Sequence, residues 1–340
     1  MPRQSRIDAP GALHHVICRG IERREIFTDN VDRDDFVCRL GNILTETSTR
    51  CFAWALIPNH FHLLLQTGPT TIATVMRRLL TGYAIRFNRR HRRHGHLFQN
   101  RYKSILCQEE PYLLELVRYI HLNPLRAGVV TTLEDLAVYP YSGHHQILDD
   151  HPAPWLASID VLGRFGQVAG VARQAYGKFV ADGISQGSRL DLIGGGLLRS
   201  AGGWQQIKAA TEAGDFLKSD ERILGDSLFV EETLRIAEET LERKHAYARQ
   251  GIGLEELFRL VAGVLSITVD EIRMVGKQPR RVQARSLFSY WAVRELGITT
   301  TTVAGILSMS QPAASLSVQR GERLVMKNGW QLERLINRKL

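Results

Sequence analysis

The stretch CFAWALIPNHFHLLL, residues 51–65, places two histidines, His60 and His62, inside an otherwise apolar run. Apolar runs of this length predict buried strands, and residues 51–57 are the expected antiparallel partner of the run with the histidines. Side chains alternate between strand faces, so His60 and His62 are expected on one face and Phe61 on the other. Two imidazoles on one face commonly begin a metal site, although an isolated pair is as often simply solvated or hydrogen-bonded.

The first 140 residues alternate strand and helix patterns around this stretch. Further strands are predicted within residues 11–20 and 95–108, and helices at 29–48, 70–91 and 109–128. The order is β-α-β-β-α-β followed by one more helix. It predicts an α+β fold, a ferredoxin-like antiparallel sheet with helices on one face.

The rest of the chain is predicted to be helical. Residues 138–154 are rich in turn formers, which indicates a boundary. We predict a domain at 1–140, a helical linker region of unknown role at 141–250, and an all-α domain at 251–340.

Composition argues against a membrane protein and against a disulfide scaffold. No stretch approaches the roughly 20 apolar residues of a membrane span, and the start of the chain lacks the apolar core of a secretory signal. The four cysteines lie far apart, with no C-x-x-C spacing. These features predict a cytoplasmic protein with no membrane partner.

The positive charge is concentrated in one segment. The chain carries a net charge of +9, yet residues 47–108 contain no Asp or Glu and ten Lys or Arg. A run of charge is often only a solvated face, but so long an acid-free segment favours a nucleic-acid partner.

The predicted helix at 109–128 supplies two further polar side chains. Tyr119 and Asn123 are four residues apart and therefore share one helix face. An amide at Asn123 could complete a metal site with His60 and His62 that suits Mg²⁺ or Mn²⁺, and Tyr119 would then be a nucleophile.

Two other interpretations remain open from the residues alone. Tyr119 could be a packed aromatic, with Asn123 ending the helix before Pro124. A zinc enzyme that uses Cys51 or Cys107 together with the histidines is the alternative chemistry.

Four blocks, in this order, resemble the REP-associated tyrosine transposases of the HUH single-tyrosine family. They are HHVICRGIERREIF at 14–27, PNHFHLLL at 58–65, GHLFQNRYKS at 95–104 and VRYIHLNPLRAG at 117–128. The resemblance covers about residues 1–140 and implies a ferredoxin-like fold. It implies that His60 and His62 form the HUH motif, that Tyr119 is the nucleophile, and that Asn123 replaces the third metal ligand.

The resemblance also implies an activity. Such enzymes cut single-stranded DNA at the foot of hairpins that border repeats, form a 5′-phosphotyrosine, and rejoin the strand as monomers or homodimers. The alternative is a DNA-binding regulator with a decayed nuclease site. The complete set of His60, His62, Tyr119 and Asn123 favours the enzyme.

Basic residues near this site are the predicted contacts to DNA phosphates. They are Arg78, Arg86, Arg89, Arg93, Arg101 and Lys103. Phe98 and Tyr102 could stack on unpaired bases, whereas the spacing of Tyr83 and Phe87 favours a place in the core.

The C-terminal region has the layout of a helix-turn-helix and resembles the C-terminal DNA-binding domain of the replication initiator DnaA. Ser310 is the predicted cap of its last long helix. Gln311, Ser315, Ser317 and Gln319 are predicted to face a duplex groove, and Arg320 to reach a phosphate. The alternative is a helical bundle used for packing or dimerisation.

Overall fold

The structure is a computed structural model that describes residues 7–8, 11–68, 70–187, 189, 192, 220–249 and 251–337. The chain forms two compact units, Met1–Thr233 and Leu234–Leu340. Among the described residues, no helix is both long and apolar enough to cross a membrane.

The first unit is built on a five-stranded sheet in the order β2-β3-β1-β4-β5. The strands are β1 (Leu13–Arg19), β2 (Arg50–Ile57), β3 (His60–Gln66), β4 (Lys103–Cys107) and β5 (Ile223–Leu224). The pairs β2-β3, β3-β1 and β1-β4 are antiparallel, as the ferredoxin-like prediction requires. The two-residue β5 pairs parallel with β4, so the complete sheet is mixed.

Helices of the first unit cover both faces of this sheet. The α-helices that lie in the described part of this unit are α1 (Asn30–Thr47), α2 (Ile72–Arg90), α3 (Glu109–His121), α4 (Asn123–Arg126), α5 (Leu133–Val138), α6 (Gly143–Leu148), α7 (Ser158–Leu162) and α8 (Ala169–Asp182). On one face, Phe36 of α1 lies 4.8 Å from Phe61 of β3 and 5.2 Å from Tyr83 of α2, between ring centroids. The predicted core position of Tyr83 is confirmed. On the other face, α3 packs on β2 and β3, so the predicted placement of helices on one face holds for α1 and α2 and not for α3.

The helix α3 begins at the predicted residue and ends at His121, before the predicted end at residue 128. Glu109 and Glu110 occupy its first turn, where the helix dipole favours negative charge. It ends at His121, because Pro124 lacks the N–H that a continuing helix needs. A short helical turn from Asn123 to Arg126 follows directly.

Part of the segment predicted to be a linker packs into the first unit. The ring of Trp155 lies 5.7 Å from that of Trp54 in β2. The hydroxyl of Tyr176 in α8 lies 2.7 Å from Nδ1 of His121 and 2.9 Å from Nδ1 of His144. Whether residues 1–140 also form a separate domain stays a prediction.

The second unit is helical, as predicted. Its described helices are α9 (Ser227–Arg249, which begins in the first unit), α10 (Leu254–Leu265), α11 (Val269–Arg273), α12 (Pro279–Arg294), α13 (Thr300–Ile306), α14 (Gln311–Asn328) and α15 (Leu332–Asn337). Phe258 of α10 stacks on Phe288 of α12 with 3.9 Å between ring centroids. Ser310 caps α14, since its side chain accepts a hydrogen bond from Ala313 N, as predicted.

Candidate active site

The two strand histidines lie side by side on the sheet face that α3 covers. Their ring centroids are 5.2 Å apart. In the antiparallel register His60 is opposite Arg19 and His62 is opposite Ile17, so both point to the same side, away from Phe61. His62 is only 4% exposed, whereas His60 is half-buried near the end of the strand pair.

Both histidines make a hydrogen bond through Nδ1. Nδ1 of His60 lies 2.6 Å from Oδ1 of Asn59, and Nδ1 of His62 lies 2.9 Å from Nε2 of His15. In each ring the opposite nitrogen, Nε2, is therefore the one left for another ligand.

Burial keeps both imidazoles uncharged. Desolvation, followed by the charge of Arg19, lowers the pKa of His60 to about 4. Desolvation, with smaller contributions from His15 and His60, holds the pKa of His62 well below its ordinary value. Neutral imidazole is the form that coordinates a metal ion, so both rings have the protonation state that coordination requires.

The ring of Tyr119 lies next to His62 and His15. Its ring centroid is 5.9 Å from that of His62 and 6.0 Å from that of His15, and it is 7% exposed. The guanidinium carbon of Arg126 lies 5.4 Å from the centroid of the same ring. The phenol of Tyr119 on α3 therefore lies close to the histidines of β3.

Asn123 is fixed to the same helix turn. Its Nδ2 donates a hydrogen bond of 2.9 Å to the carbonyl oxygen of Tyr119. The side chain is 9% exposed. Because the amide N–H group points at that carbonyl, Oδ1 is the amide atom with lone pairs to offer to a cation.

The donor set fits a divalent cation. Two neutral imidazoles and one amide oxygen would leave further positions to water and phosphate oxygens. The described residues hold no group of three or more His, Cys, Asp or Glu side chains placed to bind a metal. Among the described residues, Cys51 and Cys107 therefore form no such group with the histidines, and burial raises the pKa of the Cys51 thiol.

Residues 10–123 match the family model described as "Transposase IS200 like". The match spans all four residues predicted for the site, His60, His62, Tyr119 and Asn123, and it supports a DNA-processing function of the transposase kind for this part of the chain.

A solved structure of a REP-associated tyrosine transposase bound to a REP hairpin is also similar. The similarity has a TM-score of 0.37 and 17% identity, and covers 46% of this chain and 91% of that one. No curated protein matches the chain.

Several of the predicted phosphate contacts are already ion-paired. On α2, Arg78 pairs with Glu46 and Arg86 pairs with Asp35, the latter at 2.8 Å. Arg90, a residue of the same acid-free segment, pairs with Asp29 and Asp32. The acid-free segment is therefore neutralised in part by carboxylates of α1 and its cap, which the helix pairing brings alongside.

The other predicted cations differ in exposure. Arg89, Arg101 and Lys103 are exposed, and Arg93 is half-buried with its guanidinium carbon 5.8 Å from the ring centroid of Phe87. Lys103 is opposite Ile17, which is itself opposite His62, so Lys103 lies on the same sheet face as the histidines.

Three residues of this site escaped prediction. His15 and Arg19 lie on β1 in register with the strand that carries the histidines, and Arg126 lies one turn beyond Asn123. The signal for the first two was the alternation of β1 itself, which puts both on the face that His60 and His62 occupy.

In the second unit, the residues predicted to face a duplex groove differ in exposure. Arg320 is exposed, and Gln311, Ser315 and Gln319 are half-buried. The prediction for Ser317 is wrong, because its side chain is 6% exposed and its hydroxyl lies 3.5 Å from that of Ser286 in α12. Ser317 shares a helix face with Ala314 and Gly321, which are also buried.

Proposed function

We propose that this protein is a metal-dependent endonuclease and strand transferase for single-stranded DNA. As a transposase it would act on hairpin-bordered repeats through a 5′-phosphotyrosine. The observation that carries the proposal is the Tyr119 ring 5.9 Å from His62, inside the segment that matches the transposase family.

His60, His62 and Asn123 would hold Mg²⁺ or Mn²⁺. When bound, such an ion withdraws negative charge from a phosphate and so lowers the barrier to in-line attack. The residues fit this role because both imidazoles are uncharged and the amide oxygen of Asn123 can accept a cation.

The reaction exchanges one phosphodiester bond for another. The Tyr119 oxygen attacks phosphorus as the phenol gives up its proton, and the bond to the 3′ oxygen breaks and that oxygen takes a proton. The products are a 5′-phosphotyrosine and a free 3′-OH. The reverse attack by a 3′-OH rejoins strands, so strand transfer needs no nucleotide cofactor.

The partner would be single-stranded hairpin DNA. Arg89, Arg93, Arg101 and Lys103, together with Arg19 beside His60, supply positive charge for its phosphates. Arg78 and Arg86 could join only by exchanging a carboxylate for a phosphate. The protein would work in the cytoplasm as a monomer or homodimer.

The second unit would bind duplex DNA next to the hairpin. Its α14 carries the exposed Arg320 and the half-buried Gln311 and Ser315, and Ser310 caps the N-terminus of this helix. Contacts of this kind would add affinity without taking part in strand cleavage.

The proposal is tested with single-stranded hairpin DNA from the surroundings of the gene. The full-length protein is incubated with this DNA and Mn²⁺, and a denaturing gel is read for a covalent adduct. We expect an adduct with the wild type and none with Tyr119→Phe or in EDTA. Hairpin binding without any adduct would instead indicate a DNA-binding protein with an inactive nuclease site.

A further inference from the structure

The hydrogen-bond partners of the two histidines determine where their protons lie. A neutral imidazole carries one proton, and a ring nitrogen can bind a metal only with its free lone pair. Nδ1 of His60 contacts Asn59 and Nδ1 of His62 contacts His15, so the proton position in each ring depends on what that partner offers.

The orientation of the Asn59 amide follows from its second contact. Its Nδ2 donates to the carbonyl oxygen of Arg23 at 3.2 Å, which turns Oδ1 toward His60. An amide oxygen only accepts hydrogen bonds. Nδ1 of His60 must therefore carry the proton, which leaves the lone pair on Nε2.

The proton position of His62 follows from the proposed metal site, since the ring nitrogens of its partner His15 can either donate or accept. Because its Nδ1 is engaged with His15, only Nε2 can serve as a ligand, and a ligating Nε2 requires the proton on Nδ1. His62 then donates to Nε2 of His15, which must accept. His15 is fully buried, and its ring centroid lies 5.2 Å from that of His62 with 28° between the ring planes.

We propose that Asn59 and His15 are positioning residues that hold His60 and His62 in the Nδ1–H form, with both Nε2 lone pairs ready for one cation. This inference rests on the proposed function. A metal site with two histidines needs a hydrogen-bond acceptor for each ring. Asn59, in the turn before β3, would supply one, and His15 of β1 would supply the other.

Both acceptors are themselves held firmly. The turn that contains Asn59 is tied to residues 20–27, since Gly20 N donates to the Asn59 carbonyl and Ile26 N donates to the Pro58 carbonyl, at 2.9 and 2.7 Å. His15 lies in the interior strand β1, between β3 and β4. Little rearrangement would be needed when a cation binds.

The proton positions can be read directly in the wild type. We would record long-range ¹H–¹⁵N correlation spectra of the full-length protein with ¹⁵N-labelled histidine, assigning His60 and His62 through their alanine variants. We expect the Nδ1–H form for both rings. If His60 is found in the Nε2–H form, the positioning role of Asn59 is wrong. If His62 is found in that form, the positioning role of His15 is wrong.

A second measurement is the Mn²⁺ dissociation constant, followed by electron paramagnetic resonance of free Mn²⁺. His15→Leu and Asn59→Ala remove the acceptors and should weaken binding by about 10- to 100-fold. His15→Gln and Asn59→Asp place an oxygen acceptor near the position of the original acceptor atom and should stay within about threefold of wild type. Variants are compared only where circular dichroism shows the wild-type fold.

The outcomes separate this inference from the proposed function. If His60→Ala abolishes Mn²⁺ binding while folded His15→Leu and Asn59→Ala bind as tightly as wild type, the positioning role alone is wrong. If His60→Ala leaves Mn²⁺ binding unchanged, the metal site and the positioning role both fail. Should the buried His15→Leu not fold, Asn59→Ala and the spectra still decide.

Discussion

Nδ2 of Asn123 donates a hydrogen bond to the carbonyl oxygen of Tyr119, 2.9 Å away, and so ties the proposed third ligand to the proposed nucleophile. The bond spans the corner between α3 and α4, where Pro124 interrupts the backbone pattern. One helix turn therefore positions two functions at once, the oxygen that would face the cation and the oxygen that would attack the phosphate.

Replacing Asn123 should separate these roles. Asn123→Ala removes the proposed ligand and should raise the Mn²⁺ concentration for half-maximal adduct formation by about tenfold or more. Asn123→Asp keeps an oxygen ligand and should need no more Mn²⁺ than wild type. Equal Mn²⁺ dependence of Asn123→Ala and wild type would remove Asn123 from the ligand set.

Tyr119→Phe should abolish the covalent adduct and leave hairpin affinity within about twofold, because only the attacking oxygen is lost while the ring that packs on His62 remains. Adduct yield is read on a denaturing gel and affinity by fluorescence anisotropy. An undiminished adduct would place the nucleophile elsewhere, and Tyr112 and Tyr102 would be the next candidates.

The arginines of α2 offer a matched pair for testing the DNA surface. Arg89→Gln removes an exposed cation and should lower the salt dependence of hairpin binding by about one phosphate contact. Arg86→Gln removes a cation that already pairs with Asp35 and should lower the salt dependence of hairpin binding less. Fluorescence anisotropy titrations across a salt series measure the salt dependence of hairpin binding for both variants. A larger loss for Arg86→Gln would show that DNA displaces the carboxylate.

Acid should destabilise the first unit through His144. Burial lowers the pKa of His144 to about 4, against an ordinary value of 6.5. The unfolded chain therefore binds a proton below pH 6.5 that the folded chain does not, so stability falls as the pH decreases from about 6.5 toward 4. This group alone should lower the free energy of unfolding by about 2 kcal/mol between pH 7.5 and pH 5.

The measurement is urea denaturation at both pH values, for wild type and for His144→Gln. The other buried groups of this cluster, His121 and Tyr176, are present in both proteins, so the difference between them reports His144. A pH dependence identical in the two proteins would contradict the assignment.

The sequence predicted the elements of the sheet because their patterns are local. Apolar alternation around His60 and His62 specifies which face each side chain takes, and the structure confirms it through Phe61, which packs on Phe36. The two-residue strand Ile223–Leu224 could not be found this way, since two residues show no alternation.

Local sequence patterns could not predict contacts between segments that are far apart in the chain. The charge of residues 47–108 was counted along the chain, whereas Asp35 and Glu46 neutralise it from a helix that precedes the segment. The contact between His15 and His62 depends on strand register, and burial of Ser317 depends on how α14 packs on α12. Each needs the tertiary arrangement of the chain.

The second unit should be dispensable for chemistry, because all four proposed site residues precede Leu125 and the first unit has its own core. That core extends well past residue 153. A chain that ends at Ala153 loses Trp155 and Tyr176, which contact Trp54, His121 and His144, and we expect it to be unstable.

A chain that ends at Thr233 keeps these contacts and should form the phosphotyrosine adduct on a single-stranded hairpin at the wild-type level. It should bind hairpins with duplex arms more weakly than the full-length protein and with a shallower salt dependence, because fewer phosphates are contacted. Both lengths are assayed on the same hairpin, with and without arms, across a salt series. A folded short chain that forms no adduct on any hairpin would show that the second unit takes part in catalysis.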